Sequence, residues 1–218
     1  MVVARDGETG VEVVVLRRAA DSPFAGGYVV FPGGVVDRGD GDRAAGWFGA
    51  SSEAARACAV RELAEEAGLV LGSGGLRELG RDGDPETEIS AAPPAVSQLP
   101  EIARWLAPEF LAVRFDAVFY AVAAPRGLEL RPDGREVDRA WWSRPADVLD
   151  RFPLWEALMW PTYRTLEVLA GCRTSADVLS LRVEQEPPPA SILARRDSPE
   201  WQEPSGNAAS PPGVAEGS

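Results

Sequence analysis

Three glutamates in one short segment are spaced so that they could share chemistry. Within residues 54–67, glutamate stands at positions 62, 65 and 66. In a helix of about 100° per residue, Glu65 would lie roughly 60° to one side of Glu62, and Glu66 roughly 40° to the other. Carboxylate oxygens concentrated in this way suit Mg²⁺ or Mn²⁺, which would relieve their repulsion and act as a Lewis acid. On spacing alone, a solvated acidic helix face is the competing interpretation.

Two absences narrow the chemistry that the rest of the chain could do. The 218 residues include no histidine, and all 22 basic residues are arginine. Ser-His-Asp or Cys-His catalysis, a histidine-ligated zinc site, a lysine Schiff base and the lysine of a Walker loop are therefore excluded. Carboxylates, arginines, backbone groups and a bound cation remain.

The residues around the glutamates resemble the signature of the Nudix hydrolases. That signature reads G-x5-E-x7-R-E-x2-E-E-x-G followed by an apolar residue. It is matched at Glu53, Arg61, Glu62, Glu65, Glu66, Gly68 and Leu69, with Phe31, Pro32, Gly33 and Gly34 upstream as its entry. So many positions in register favour a catalytic site over a solvated acidic face.

The resemblance implies a role for each of these residues. Glu62, Glu65 and Glu66 would hold Mg²⁺ or Mn²⁺, and the Gly33 carbonyl would contribute to the metal shell. Glu62 is interpreted as the base that takes a proton from the attacking water. Arg61 and Glu53 are interpreted as supports that fix the loop against the helix. The implied reaction is hydrolysis of the diphosphate linkage of a nucleoside diphosphate derivative.

One position departs from the signature. Its leading glycine should lie six residues before Glu53, but position 47 is tryptophan and Gly34 lies nineteen residues before Glu53. We therefore interpret residues 35–52 as carrying a thirteen-residue insertion. If that insertion bulges outward, Gly33 and Gly34 can keep their relation to the helix.

The insertion also indicates a subgroup. A long insert after Phe-Pro-Gly-Gly-Val-x-Asp is similar to the peroxisomal-type coenzyme A diphosphatases and their bacterial relatives. The Trp-Leu-Ala-Pro run at 105–108, Trp142-Ser143 and a late helix led by Pro161 match the same group. The resemblance covers roughly residues 11–170 and implies hydrolysis of coenzyme A or an acyl-coenzyme A to 3′,5′-ADP and the corresponding 4′-phosphopantetheine.

The choice of substrate stays open at this stage. The coenzyme A signature of another branch, an LLTxR-type stretch before Phe31, is absent. ADP-ribose, NADH and dinucleoside polyphosphates are therefore alternative substrates. The alternative from another functional class is a nucleotide sensor that does not hydrolyse its ligand. The presence of all the signature carboxylates disfavours it.

Another candidate metal ligand lies outside the signature. Glu136 precedes Trp142 by six residues and follows a Pro-Asp-Gly-Arg turn. Relatives often supply one more glutamate from the loop before such a tryptophan-bearing strand, so Glu136 is a candidate metal ligand. A solvated loop acid is the alternative.

Substrate phosphate must be recognised by arginine, because the chain has no lysine. The candidates are the arginines close in sequence to elements that should flank the cleft. Arg17, Arg38 and Arg114 are the substrate-binding candidates, and Arg18 and Arg43 are further members of this set.

These side chains require a mixed set of helices and strands to position them. Branched and aromatic runs predict strands, and runs of alanine, leucine, arginine and glutamate predict helices. The predicted strands are 11–16, 28–31, 114–123 and 137–142, and the predicted helices are 54–67, 146–150, 162–170 and 175–181. The order lacks strict βαβ alternation, which favours an α+β fold. The resemblance specifies it as a Nudix-type α/β/α sandwich with a central mixed β-sheet.

The chain is predicted to divide at residue 183. Residues 1–183 form the predicted Nudix hydrolase domain, with insertions at 35–52 and at 72–100, the second rich in glycine, proline and aspartate and without period. Residues 184–218 hold seven of the 19 prolines and four of the twelve net negative charges. This composition is typical of a disordered tail.

Composition also bears on partners and location. A net charge of −12 argues against binding to nucleic acid. No apolar window approaches the length of a membrane span, the start of the chain lacks a signal-peptide pattern, and Cys58 and Cys172 are isolated. We expect a cytoplasmic protein that binds a small-molecule nucleotide substrate and has no nucleic-acid or membrane partner. A homodimer is compatible with the sequence.

Overall fold

A sheet of valine-rich strands forms the centre of the molecule, as seen in a computed structural model that describes residues 1–22, 25–107, 115–154 and 156–188. Valine favours strands because its branched side chain packs well on a pleated surface. The strands are β1 (Val2–Asp6), β2 (Val11–Arg18), β3 (Val29–Val30), β4 (Leu69–Gly72), β5 (Gly75–Glu78), β6 (Glu101–Leu106), β7 (Asp116–Ala123) and β8 (Val137–Ser143). Strands β4 and β5 pair only with each other within the described ranges.

The central sheet is mixed, as the sequence predicts. Its order is β3-β2-β1-β7-β6, and β8 pairs with β2. Strands β1 and β7 are parallel, whereas the other pairs in this sheet are antiparallel. Strand β2 is thus bonded to β1, β3 and β8, and it ends at Arg18.

Alternate side chains along the strands pack into two different hydrophobic cores. Val3 and Val14 belong to one core, and Val2, Val13 and Val15 belong to the other. Successive side chains of a strand point to opposite faces, so these two cores lie on opposite faces of the sheet. Helices cover both faces, which confirms the predicted sandwich.

The helices are α1 (Asp40–Phe48), α2 (Ala54–Ala67), α3 (Pro85–Ala91), α4 (Pro145–Arg151), α5 (Trp160–Leu169) and α6 (Ser175–Leu179). Helix α2 has the predicted bounds, because its alanine, leucine, arginine and glutamate residues are strong helix formers. It ends at Gly68, whose φ of 68° and N–H bond to the Ala64 carbonyl form a left-handed cap. In the described part of the chain, every helix is too short or too polar to cross a membrane.

The other predicted elements are present with shifted ends. The strand predicted at 11–16 extends to Arg18, and the one predicted at 28–31 is reduced to Val29–Val30. The strand predicted at 114–123 begins at Asp116, and Arg114 lies outside the described residues. The three helices predicted after residue 145 correspond to α4, α5 and α6.

Both predicted insertions are more regular than expected. Residues 72–100 contain β5, α3 and a 3₁₀ turn at Val96–Gln98. Helix α3 forms because the Asp84 side chain accepts the Thr87 N–H at 2.8 Å and proline occupies its first position. Residues 35–52 contain α1, which packs on α2 with Ala44 and Trp47 buried. The inserted residues therefore pack against α2 and do not bulge outward.

Candidate active site

Helix α2 carries the three predicted metal ligands at one end. The side chain of Glu66 is 4% exposed, that of Glu62 is 14% exposed and that of Glu65 is 47% exposed. The carboxylates thus run from the protein interior to solvent around one arc of the helix. This gradient follows from the helical spacing that the sequence predicts.

The glycine turn after β3 is held against this arc. The Gly33 N–H donates to Glu66 Oε2 at 2.8 Å, and a Cβ added at Gly34 would overlap the Glu62 carboxylate. Gly33 has a φ of 153°, a conformation that residues other than glycine rarely adopt. The expected relation between Gly33, Gly34 and α2 is therefore present despite the inserted residues.

Burial changes the acidity of the two inner carboxylates. Burial raises the pKa of Glu66 to about 7; the hydrogen bond from Gly33 opposes this shift and the charge of Glu62 adds to it. Burial also raises the pKa of Glu62, and its salt bridge to Arg61 opposes that shift. Glu62 and Glu66 both contact the same turn, and a cation beside them would stabilise the ionised form of each carboxylate.

Arg61 is fixed by a carboxylate that the sequence analysis missed. Its Nε and Nη2 donate to the two oxygens of Asp40 at 3.0 and 3.1 Å, and Asp40 is fully buried. Its Nη1 lies 2.8 Å from both Glu62 Oε1 and Glu65 Oε2. Burial opposes ionisation of Asp40, but hydrogen bonds from Arg61 and from the Asp37 N–H outweigh it, so the pKa of Asp40 is lowered.

A signal for Asp40 does exist in the sequence. Asp40, Ala44 and Trp47 are spaced i, i+4 and i+7, which is the spacing of one helix face. The surrounding glycines, aspartates and arginines are typical of a solvated loop, so the composition of this segment does not indicate a helix with a buried face. Only the buried Ala44 and Trp47 show that Asp40 points inward.

Glu53 lies at the other end of α2 from the metal ligands. It is the N-cap residue of the helix and forms an ion pair with Arg56, which also donates to the Leu99 carbonyl at 3.2 Å. Arg56 stacks over the ring of Tyr120 at 4.5 Å. The ion-pair partner of Glu53 thus lies on the same helix, and the role of Glu53 in fixing the loop stays a prediction.

Glu136 approaches the same site from the loop before β8. Asp133 accepts the backbone N–H groups of Arg135, Glu136 and Val137 at 2.9 to 3.2 Å, which fixes this loop. The Glu136 carboxylate lies 3.5 Å from Arg18, although its side chain is 68% exposed. Its charge contributes to the raised pKa of Glu62. Glu136 therefore lies beside Arg18, which also contacts Glu66.

The arginine candidates are separated by the structure. Arg18 is 13% exposed and lies 3.5 Å from both Glu66 and Glu136, whereas Arg17 forms a bidentate ion pair with Asp138 at the surface. Arg38 is exposed in the segment before α1. Arg114 lies outside the described residues.

The donors at this site fit a hard divalent cation. Glu62, Glu65, Glu66 and Glu136 offer carboxylate oxygens, which Mg²⁺ and Mn²⁺ prefer. Within the described ranges, no three His, Cys, Asp or Glu side chains are already gathered as a metal cluster. Glu65 turns to Arg61, and Glu66 binds the Gly33 N–H. The fit rests on the oxygen donors and on the raised pKa values of Glu62 and Glu66.

The chain is similar to known proteins over most of its length. The family model of the NUDIX domain matches residues 1–166. A NUDIX hydrolase from Alicyclobacillus acidocaldarius is 31% identical with a TM-score of 0.71, over 84% of this chain and 94% of that one. The NUDIX domain of Shewanella oneidensis NrtR, solved with ADP ribose, is 16% identical with a TM-score of 0.43, over 70% of this chain and 74% of that one. No curated protein matches the chain.

Proposed function

This chain belongs to the Nudix hydrolase family, and on that premise we propose that it hydrolyses the diphosphate linkage of coenzyme A or an acyl-coenzyme A. The products would be 3′,5′-ADP and 4′-phosphopantetheine or its acyl derivative. Hydrolysis of a pyrophosphate bond follows from the family. The choice of coenzyme A rests on the long insert after Gly34 and on the other sequence features shared with that subgroup.

One hydrogen bond carries the catalytic part of the proposal. The Gly33 N–H to Glu66 bond of 2.8 Å joins the glycine turn to the carboxylate helix. With this bond, Glu62 and Glu66 are both placed against the same turn, although the inserted residues separate them in sequence from Gly34. A signature match by chance would not bring these parts together.

The proposed cofactor is Mg²⁺ or Mn²⁺. Glu62, Glu65 and Glu66 would hold it, with the Gly33 carbonyl and Glu136 as further ligands. When bound, the cation neutralises charge on the phosphate oxygens and lowers the pKa of the attacking water. Nudix enzymes generally use divalent metal ions.

The chain's own residues would handle the proton and the phosphate. Water oxygen forms a new bond to phosphorus, the bridging P–O bond of the diphosphate breaks, and Glu62 accepts the proton from water. A carboxylate held against the glycine turn can serve as such a proton acceptor. Arg18, the partly buried arginine beside Glu66, would face the substrate phosphate.

A substrate panel tests the proposed function. The purified protein is incubated with Mg²⁺ or Mn²⁺ and with coenzyme A, an acyl-coenzyme A, ADP-ribose, NADH or diadenosine polyphosphates, and products are identified by mass spectrometry. The expected result is metal-dependent release of 3′,5′-ADP from the coenzyme A substrates. Faster cleavage of another panel member would replace the proposed substrate, and cleavage of none would reject turnover and favour a sensor.

Glu66→Gln tests the metal assignment. This substitution removes a ligand charge and should lower kcat on the order of 100- to 1000-fold, the range typical of losing one charge-stabilising group. Glu8→Gln is the matched control, because Glu8 is exposed in the turn between β1 and β2. Full activity in Glu66→Gln would overturn the assignment.

A further inference from the structure

Helix α1 inserts one carboxylate into the protein interior. Asp40 is fully buried at the start of the helix, and Ala44 and Trp47 are buried on the same face. Burying a charge costs free energy unless it is paired. The pairing partners of Asp40 therefore show why it is accommodated there.

Asp40 has one partner on α2 and others on its own segment. Arg61 donates to both of its oxygens, at 3.0 and 3.1 Å, in the two-pronged geometry that fixes a planar guanidinium. Arg43 lies 3.2 Å from Asp40 Oδ1, and the Asp37 N–H donates to Oδ2 at 2.9 Å. The carboxylate is thus held in place and in turn orients Arg61.

This orientation limits the number of Arg61 nitrogens that can donate to the metal-ligand candidates. Asp40 occupies Nε and Nη2, so Glu62 and Glu65 share the single nitrogen Nη1, each at 2.8 Å. A guanidinium without Asp40 would be free to turn two N–H groups toward one of these carboxylates. It would then compete with a cation for their oxygens.

We propose that Asp40 is a positioning residue for the metal site, which it serves by holding Arg61 away from full pairing with Glu62 and Glu65. This inference rests on the proposed function for its consequence in catalysis. It assigns a task to the inserted segment, which brings a buried partner to the arginine of the carboxylate helix.

The direction of the effect follows from charge. Loss of the Asp40 charge leaves Arg61 with less negative charge on its far side, so Arg61 is drawn more strongly to Glu62 and Glu65. Divalent metal affinity should fall, and kcat should fall with it. KM for the substrate should change little, because Asp40 does not line the proposed phosphate contact.

The test compares Asp40→Asn with Asp42→Asn. The two substitutions remove the same charge from α1, but Asp42 is exposed. Mn²⁺ affinity is measured by electron paramagnetic resonance on the folded proteins without substrate, and kcat and KM are measured on the substrate that the wild type cleaves. Asp40→Asn should weaken Mn²⁺ binding and lower kcat by about 10- to 100-fold, the range for residues that orient metal ligands. Excess Mn²⁺ should restore part of kcat, and Asp42→Asn should match the wild type.

A second variant makes the mechanism specific. Arg61→Lys keeps the charge but cannot make the two-pronged bond, so it should also weaken Mn²⁺ binding, and adding Asp40→Asn to it should cost little more. If Asp40→Asn does not fold, the test rests on Arg61→Lys. The proposal is then overturned if the Arg61→Lys protein binds Mn²⁺ as tightly as the wild type does. A lower melting temperature of Asp40→Asn with unchanged Mn²⁺ affinity, or an undiminished Asp40→Asn effect in the Arg61→Lys background, would also overturn it. Since the Mn²⁺ titration needs no turnover, a wild type that cleaves nothing rejects the proposed function separately.

Discussion

Two neighbouring arginines of β2 have different surroundings. Arg17 pairs with Asp138 at 2.8 and 3.0 Å, and both side chains are about one third exposed. Arg18 lies between Glu66 and Glu136 and donates to Ser22 at 3.0 Å. A shift in the pairing of β2 with β8 falls between these two residues. At the residue scale, Arg18 is therefore the arginine that we propose as the contact for substrate phosphate.

Arg18→Gln should lower kcat/KM for the cleaved substrate by about 10- to 100-fold, the equivalent of one hydrogen bond to a charged group. Mn²⁺ affinity should not fall, because the substitution removes a positive charge beside Glu66. Steady-state kinetics and a Mn²⁺ titration measure the two effects.

Arg17→Gln is the control for this prediction. Its exposed ion pair is worth roughly 0.2–1 kcal/mol, so only a small change in melting temperature is expected. Equal kinetic losses in the Arg17 and Arg18 variants would contradict the assignment of Arg18.

At the scale of elements, the glycine turn and helix α2 behave as one unit. The Gly33 N–H binds Glu66, and the Cys58 thiol donates to the Gly34 carbonyl at 3.7 Å. Burial raises the pKa of Cys58 to about 12, so this thiol stays protonated and can donate. The helix thus reaches the turn through two side chains that are two turns apart along α2.

Gly34→Ala should damage activity more than stability. The added Cβ would overlap the end of the Glu62 side chain, which can rotate away, so the free energy of unfolding should change by less than about 1 kcal/mol. The rotation displaces the proposed base, and kcat should fall by at least about tenfold. Kinetics and urea unfolding measure the two quantities.

Gly46→Ala is the matched control on α1. A Cβ at Gly46 meets nothing within 4 Å, and alanine in a helix interior is favoured over glycine by roughly 0.5–1 kcal/mol. This variant should be as active as the wild type and slightly more stable. If Gly34→Ala retains full kcat, Glu62 does not need its position at the turn.

At the scale of the whole molecule, the segment after α6 closes one edge of the central sheet. The Val183 N–H donates to the Ile102 carbonyl at 2.6 Å, and the Gln185 side chain binds both backbone groups of Leu106 at 2.9 Å. The Trp160 Nε1–H donates to the Glu186 carbonyl at 2.7 Å. An edge strand with unpaired backbone groups can pair with other chains. The segment after α6 covers the exposed edge of β6.

Two truncations test where the folded unit ends. A chain ending at residue 188 keeps all of these contacts and should match the full chain in melting temperature. A chain ending at residue 182 loses buried Val183 and the hydrogen bonds of Gln185 and Glu186, and should lose about 3 kcal/mol or roughly 6–12 °C. Equal melting temperatures for both truncations would show that this edge needs no cover.

The sequence by itself determined the carboxylate helix. The bounds of α2, its end at Gly68 and the shared arc of Glu62, Glu65 and Glu66 are local properties of seventeen residues. Helix propensity and the angle per residue fix them without reference to the rest of the chain. The mixed sheet was predictable in outline, because runs of branched residues with alternating faces identify strands.

Only the tertiary structure decided which distant groups meet this helix. Asp40 reaches Arg61 across 21 positions, Gly33 reaches Glu66 across 33 and Arg18 reaches Glu66 across 48. Such contacts depend on how α1, β2 and the glycine turn pack around α2, and no short-range pattern encodes that packing. Arg17 and Arg18 illustrate the reason: alternation along the strand separates neighbouring side chains, but only the packing of α2 on the sheet brings Glu66 to Arg18 and not to Arg17.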